Sequence, residues 1–312
     1  MGHLRPPPRT QRQSERKDDE AEAMRVKRTI AIALELAKIR ITTVVMITTL
    51  LGYLLAKGSV DLAIIPVLLG TLFLACGSAV FNHVQERRTD ALMPRTRKRP
   101  IPSGAISPRS AVIFGMLLTL AGSVTLVAAS GLAALALGVL AFLWYNGVYT
   151  PLKRRHPMAV IPGSLIGAIP PAIGWVAAGG SLLDEKILAV SFFFFVWQIP
   201  HFWLLMLFFE KDYRQAGFPT MQSIFSRDQI LRITFIWMMG VCVLSIGLPL
   251  FGVAESFLIH LGLVLSAIWL SWNAFRFVMS SKSDLKLMYA FKGINRFALL
   301  LVILLSLDQL VV

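Results

Sequence analysis

Apolar runs of about 20 residues, the length an α-helix needs to cross a bilayer, recur from residue 41 to the end of the chain. In lipid, such runs can satisfy their backbone polar groups only as helices or as a closed barrel. Barrel strands alternate apolar and polar residues, and these runs are continuous. The expected fold class is therefore an all-α polytopic membrane protein, in keeping with a mean hydropathy of +0.68.

About nine transmembrane helices are expected, at 41–56, 62–81, 111–128, 131–149, 159–178, 187–208, 231–250, 256–275 and 296–312. This division places 29 of the 31 Lys and Arg residues on one side of the membrane and leaves Lys57 and Lys186 on the other. Such a bias sets the N-terminus in the cytoplasm and the C-terminus outside. The net charge of +14 then follows from topology, and no nucleic-acid partner is expected.

Residues 1–28 are polar and charged, which suggests a disordered tail ahead of a single transmembrane domain at 29–312. Residues 29–40, TIAIALELAKIR, suit an interfacial helix leading into the first span. The tail lacks the short apolar core of a signal peptide, and Asp18, Asp19, Glu20 and Glu22 argue against a transit peptide. A bacterial plasma (inner) membrane is the expected location. Cys76 and Cys242 lie in apolar runs and are expected to be small buried hydrophobes.

The stretch NHVQERRTDALMPRTRKRPIPSG, 82–104, departs from simple topology. Asn82, Glu86 and Asp90 fall at i, i+4 and i+8, one face of a helix with a drift of about 40° per step. One carboxamide and two carboxylates are hard oxygen donors of the kind Mg²⁺ shares with phosphate. Arg95, Arg97, Lys98 and Arg99 follow, and guanidinium forks match phosphate or carboxylate oxygens. The positive-inside rule alone explains the arginines, but explains the register of the acids less well.

A second exit on the same side carries Glu210, Lys211, Asp212, Tyr213 and Arg214, and a third, YTPLKRRHP, carries Lys153. The acids of the second exit could equally form salt bridges with Lys211 and Arg214. His201 lies inside an apolar span and could be a core residue, a proton carrier or a ligand. His83 and His156 are expected in solvated loops. The Gly- and Pro-rich GSLIGAIPPAIGW, 163–175, suits close helix packing or a bulky substrate.

On these residues the chain resembles the UbiA-type intramembrane prenyltransferases, and within them the branch that farnesylates haem. The first family motif, N-x-x-x-D-x-x-x-D, stands here as Asn82, Glu86 and Asp90. DALMPRTRKRPIP (90–102), YTPLKRR, GAIPPAIGW and WQIPHFW followed by KDYRQAGFP match in order. The second family motif is reduced to Asp212, with Phe208 four residues before it. The K-P-R usual before the first span is Lys38-Ile39-Arg40.

The resemblance implies a helical bundle around a central cavity open to the cytoplasmic side. It implies farnesyl diphosphate as donor, haem B as acceptor and Mg²⁺ as cofactor. Asn82, Glu86, Asp90 and Asp212 would be the catalytic and metal-holding residues. Arg95, Arg97, Arg99, Lys153, His201, Lys211, Tyr213 and Arg214 would bind substrate. The aromatic residues Phe192 to Phe195, Trp197 and Trp203 could line the cavity. A haem A synthase or oxidase assembly factors would be neighbours in the bilayer. The alternatives are prenylation of a quinone precursor or another aromatic ring, and a transporter or scaffold with no turnover.

Overall fold

In the computed structural model, residues 9–279 and 284–311 are described. Ten helices organise them: α1 (Arg9–Leu36), α2 (Ile39–Lys57), α3 (Ile64–Leu92), α4 (Pro108–Leu143), α5 (Leu165–Ala177), α6 (Glu185–Phe208), α7 (Glu210–Gln215), α8 (Arg227–Gly247), α9 (Phe257–Met279) and α10 (Asp284–Val311). Among the described residues there is no strand. Eight helical runs are long and apolar enough to cross a membrane.

One of the eight, Pro108–Leu152, is 45 residues long. A straight helix of that length would measure about 68 Å, twice a bilayer's hydrocarbon core. The chain instead folds back at Gly131, whose φ of 75° suits a residue without Cβ. Gly122 and Gly138, on either side of this bend, both lie against Leu74 of α3. The bend falls at the expected boundary between the third and fourth spans.

One expected span is corrected, and α1 takes in residues 9–28 of the polar N-terminal segment, while residues 1–8 lie outside the described residues. The stretch SERKDDEAEAM is rich in Ala, Glu, Arg and Lys, which favour helix even where there is no apolar face to bury. The last span is expected at 296–312, which leaves Lys292 outside the membrane. The apolar crossing run is Leu287–Leu310, with Lys292 and Arg296 on an exposed face while Ile294 and Phe297 are fully buried.

The bundle is apolar on its outside as well as its core. Leu117, Leu120 and Val124 on α4 and Leu258, Leu265 and Ile268 on α9 are all more than half exposed. In water such a belt would drive aggregation, whereas in lipid it is the expected outer surface. Inside, Phe193 and Phe194 of α6 lie in one core with Met238, Leu270 and Phe297 from α8, α9 and α10. Tyr53, Leu74, Leu126 and Ile173 form a second core between α2, α3, α4 and α5.

Close approach between α2 and α5 rests on glycine. A Cβ on Gly52 would overlap the carbonyl oxygen of Pro171, and one on Gly174 would overlap that of Thr49. The small residues of GSLIGAIPPAIGW thus serve packing, as small residues do where membrane helices touch. Substituting Val for Gly52 or Leu for Gly174 is expected to cost about 1–3 kcal/mol, read as a lower melting temperature in detergent. Gly147→Ala, with open space around it, is the control and should leave the transition in place.

Candidate active site

The helix α3 runs past the apolar core and carries its last turns into the polar end of the bundle. Asn82, Glu86 and Asp90 are 1%, 6% and 0% exposed, so the i, i+4, i+8 face points into the protein. Each is held by a cation from a different part of the chain. Lys38 Nζ donates to Asn82 Oδ1 at 2.6 Å. Lys153 Nζ pairs with Glu86 Oε1. Arg99 donates to both oxygens of Asp90, at 2.9 and 2.8 Å.

The backbone places these cations. Lys38 sits in the left-handed break between α1 and α2, with φ 49°. Arg99 comes back over the end of α3 in a series of tight turns, and Thr96 Oγ1 donates to the Asp90 carbonyl at 2.9 Å. Lys153 follows a π-helical turn, Trp144–Tyr149, at the end of the Pro108–Leu152 run. Such turns insert a residue and often mark functional sites. Here the wider turn brings the Thr150 hydroxyl to accept from Asn82 Nδ2 at 3.1 Å while donating to the Tyr145 carbonyl at 2.8 Å.

Burial pulls the pKa of Lys153 down, but the Glu86 carboxylate beside it outweighs this, and the net shift is upward. Lys153 therefore stays cationic over any working pH. Its ammonium also faces the rings of Tyr149 and Phe218, at 5.5 and 5.8 Å.

The second exit closes over the first. Met93, Ala216 and Phe218 form a small buried cluster with Tyr213 against it. Arg95 Nε lies 3.8 Å from Asp212 Oδ2, and its guanidinium stacks 4.5 Å above the Phe209 ring. Glu210 accepts from Gln222 and lies 3.8 Å from Arg214, so part of the acidic exit is internal salt bridging. Arg97 and Lys211 are exposed, and neither is drawn into the buried stripe.

A row of rings leads from Lys153 into the bundle. Tyr145 stacks on Tyr149 at 5.8 Å, Tyr149 meets Phe202 at 6.2 Å, and Phe202 meets His201 at 5.2 Å. His201 in turn lies 4.8 Å from Trp197 and 5.1 Å from Phe291. Among the described residues its Nδ1 is buried without a hydrogen-bond partner. The expected aromatic lining is only partly right. Phe192 is 53% exposed on the outer surface, and Phe193 and Trp203 are consumed by core packing.

His83 is corrected from solvated to buried, at 1% exposure, because α3 extends a further turn of burial beyond the apolar run. Lys38, Tyr145 and Thr150 belong to the site and were missed as participants. Lys38 had been visible only as one element of a departing K-P-R motif. Nothing in the spacing of Tyr145 and Thr150 marks them, since a π turn is not legible in sequence. Among the described residues no three His, Cys, Asp or Glu side chains converge as a metal site. The stripe instead offers two carboxylates and an amide oxygen.

A multi-spanning helical bundle with a buried Asn–Glu–Asp face, ringed by cations at one end, defines an intramembrane enzyme class. The sequence pattern of the UbiA prenyltransferase family matches residues 45–299. The chain belongs to that family and is an integral, multi-pass membrane protein. It is 32% identical over 279 residues to a protoheme IX farnesyltransferase of Oleidesulfovibrio alaskensis, covering 89% of this chain and 96% of that protein. It is 42% identical over 173 residues to a protoheme IX farnesyltransferase of Geobacter sulfurreducens, covering 55% of this chain and 64% of that protein. The solved structure of a UbiA homolog from Archaeoglobus fulgidus bound to GPP and Mg²⁺ has the same fold, with a TM-score of 0.66 at 15% identity, covering 90% of this chain and all of that one.

The Asp90–Arg99 pair gives a direct check on this geometry. Asp90→Asn and Arg99→Gln should each lower stability, and the double variant should lose less than the sum. A coupling of about 1–3 kcal/mol is expected from melting in detergent, and additivity would mean the Arg99–Asp90 contact is not present in the membrane protein.

Proposed function

We propose that this chain transfers the farnesyl group of farnesyl diphosphate to a vinyl group of haem B, with addition of water, to give haem O. The observation that carries the reaction class is the buried stripe of Asn82, Glu86 and Asp90 faced by Lys38, Lys153 and Arg99. The acceptor rests on the relatives named protoheme IX farnesyltransferase and on the long stretch DALMPRTRKRPIP.

The stripe suits Mg²⁺. Its donors are all hard oxygens, they share one helix face, and phosphate oxygens and water would complete the coordination. A family member has been solved with GPP and Mg²⁺ together. Asn82, Glu86 and Asp90 would hold the metal, with Asp212 reaching it from the opposite exit. Mg²⁺, when bound, supplies positive charge to the leaving diphosphate.

The chain's own residues do the rest. Lys38, Lys153 and Arg99 are preorganised cations beside the stripe, and they can turn from its side-chain oxygens to phosphate oxygens as the donor arrives. Arg95 is placed to join them by releasing Asp212. The allylic C–O bond breaks, and diphosphate leaves with the electron pair. The vinyl carbon of the porphyrin attacks the allylic cation, and water captures the resulting cation and loses a proton. Tyr145, Tyr149 and Phe202 present ring faces along the path of the cation and exclude bulk water. His201, at the inner end of the row, would contact the acceptor.

The cytoplasmic side is the proposed home of the site, since the basic exits gather there under the positive-inside rule. The membrane is proposed to be a bacterial inner membrane, with the N-terminus in the cytoplasm and the C-terminus outside.

Turnover tests this reading. Purified protein in detergent, given haem B, farnesyl diphosphate and Mg²⁺, should add the mass of farnesyl plus hydroxyl to haem, and EDTA should stop it. Glu86→Gln should lower kcat by at least about 100-fold. Prenylation of a quinone precursor with haem B left untouched would overturn the acceptor, and full activity of Glu86→Gln would overturn the site.

A further inference from the structure

Beyond the buried stripe lies a separate basic cleft, shallow and wide open to its surroundings. Its volume is about 490 Å³, and Arg154, Arg155, Arg214, Phe218, Thr220 and Ser223 are among its lining residues. Arg155 is exposed and, among the described residues, has neither an ion pair nor a side-chain hydrogen bond. Arg214 is 71% exposed and only loosely paired, 3.8 Å from Glu210. Arg154 donates to the carbonyl oxygen of Gln85, the residue before Glu86 on α3. The cleft therefore holds three guanidinium groups with no carboxylate in its lining.

The cleft is anchored to the active site through two short links. Phe218 lines it and also turns its ring toward the Lys153 ammonium, which is bound to Glu86. Arg154 ties it to the backbone of α3 one residue from the stripe. A second, smaller cavity of about 230 Å³ shares Arg154 and Arg155 with it and is lined also by Gln85 and Thr150. The basic cleft thus sits at the mouth of the site, outside the acids.

Resting on the function proposed above, we infer that this cleft binds the two carboxylates of the acceptor, leaving the inner cations to the diphosphate. The two anions differ in what they need. Guanidinium forks take phosphate as well as carboxylate, but a diphosphate that is to ionise needs its metal-holding acids beside it, and the lining of the cleft carries no Asp or Glu. Carboxylates need only guanidinium forks, which pair with them in two parallel hydrogen bonds. The propionates of haem B lie on the edge of the ring away from its vinyl groups. Fixing them at the mouth directs a vinyl edge inward, toward the ring row of Tyr149 and Phe202. Arg154, Arg155 and Arg214 are thus positioning residues for acceptor orientation.

The test compares haem B with its dimethyl ester, which keeps the ring and loses both negative charges. Equilibrium binding is followed by the visible absorption of the haem, on full-length protein in detergent without donor. Wild type should bind haem B about tenfold or more tighter than the diester. Arg155→Gln combined with Arg214→Gln should erase that difference by weakening haem B alone. Arg155→Glu, which removes no internal contact, should weaken haem B further while the diester is unaffected. In turnover, the double variant should raise KM for haem B and leave KM for farnesyl diphosphate within twofold.

Equal binding of haem B and diester by wild type overturns the inference, as does a double variant whose defect falls on farnesyl diphosphate. Charge-dependent haem binding that follows Arg155 and Arg214, in a protein that farnesylates no haem, keeps the cleft and overturns the reaction instead.

Discussion

The structure depends on one costly act, the burial of two carboxylates and an amide on a single helix face. Moving a carboxylate out of water costs several kcal/mol unless close opposite charge and hydrogen bonds offset it. Here the compensation comes from three directions. The α1–α2 break supplies Lys38, the loop after α3 supplies Arg99, and the segment after the π turn supplies Lys153. Each pair fastens a connection to α3, so the polar end of the bundle is assembled around the site. A membrane helix could not carry Glu86 and Asp90 at 6% and 0% exposure without them.

The same pairing explains how the site can be stable without ligand and still take one. The two carboxylates are paired with Lys153 and Arg99, and Lys38 adds a third cation on the Asn82 amide oxygen. A metal with a diphosphate carries the complementary charges as a unit, and it can be inserted between the two sets without leaving either uncompensated. Neither half alone has that property, because a lone cation would displace lysines and arginine from the acids, and a lone anion would draw them away.

Much of this was legible in sequence, and the exceptions have physical causes. The apolar runs located the spans, since lipid permits little else, and the i, i+4, i+8 register of Asn82, Glu86 and Asp90 pointed to one face. The start of the last span lies before Lys292, because a helix can keep that charge on an exposed face while the residues around it cross the membrane. His83 was misjudged because polar neighbours suggested solvent, whereas α3 stays buried through Asp90. Lys38 and Thr150 come to Asn82 from 44 and 68 residues away. Their meeting is a tertiary fact that local spacing does not encode.

Binding of Mn²⁺, a paramagnetic substitute for Mg²⁺, tests the central claim most directly. Purified protein would be titrated and followed by electron paramagnetic resonance, with and without inorganic diphosphate. If the acids are held by Lys153 and Arg99, and Asn82 by Lys38, until the anion arrives, Mn²⁺ should bind weakly alone and much more tightly with diphosphate, and Glu86→Gln should abolish the gain. Tight Mn²⁺ binding that ignores diphosphate, or a gain that survives Glu86→Gln, would contradict the account.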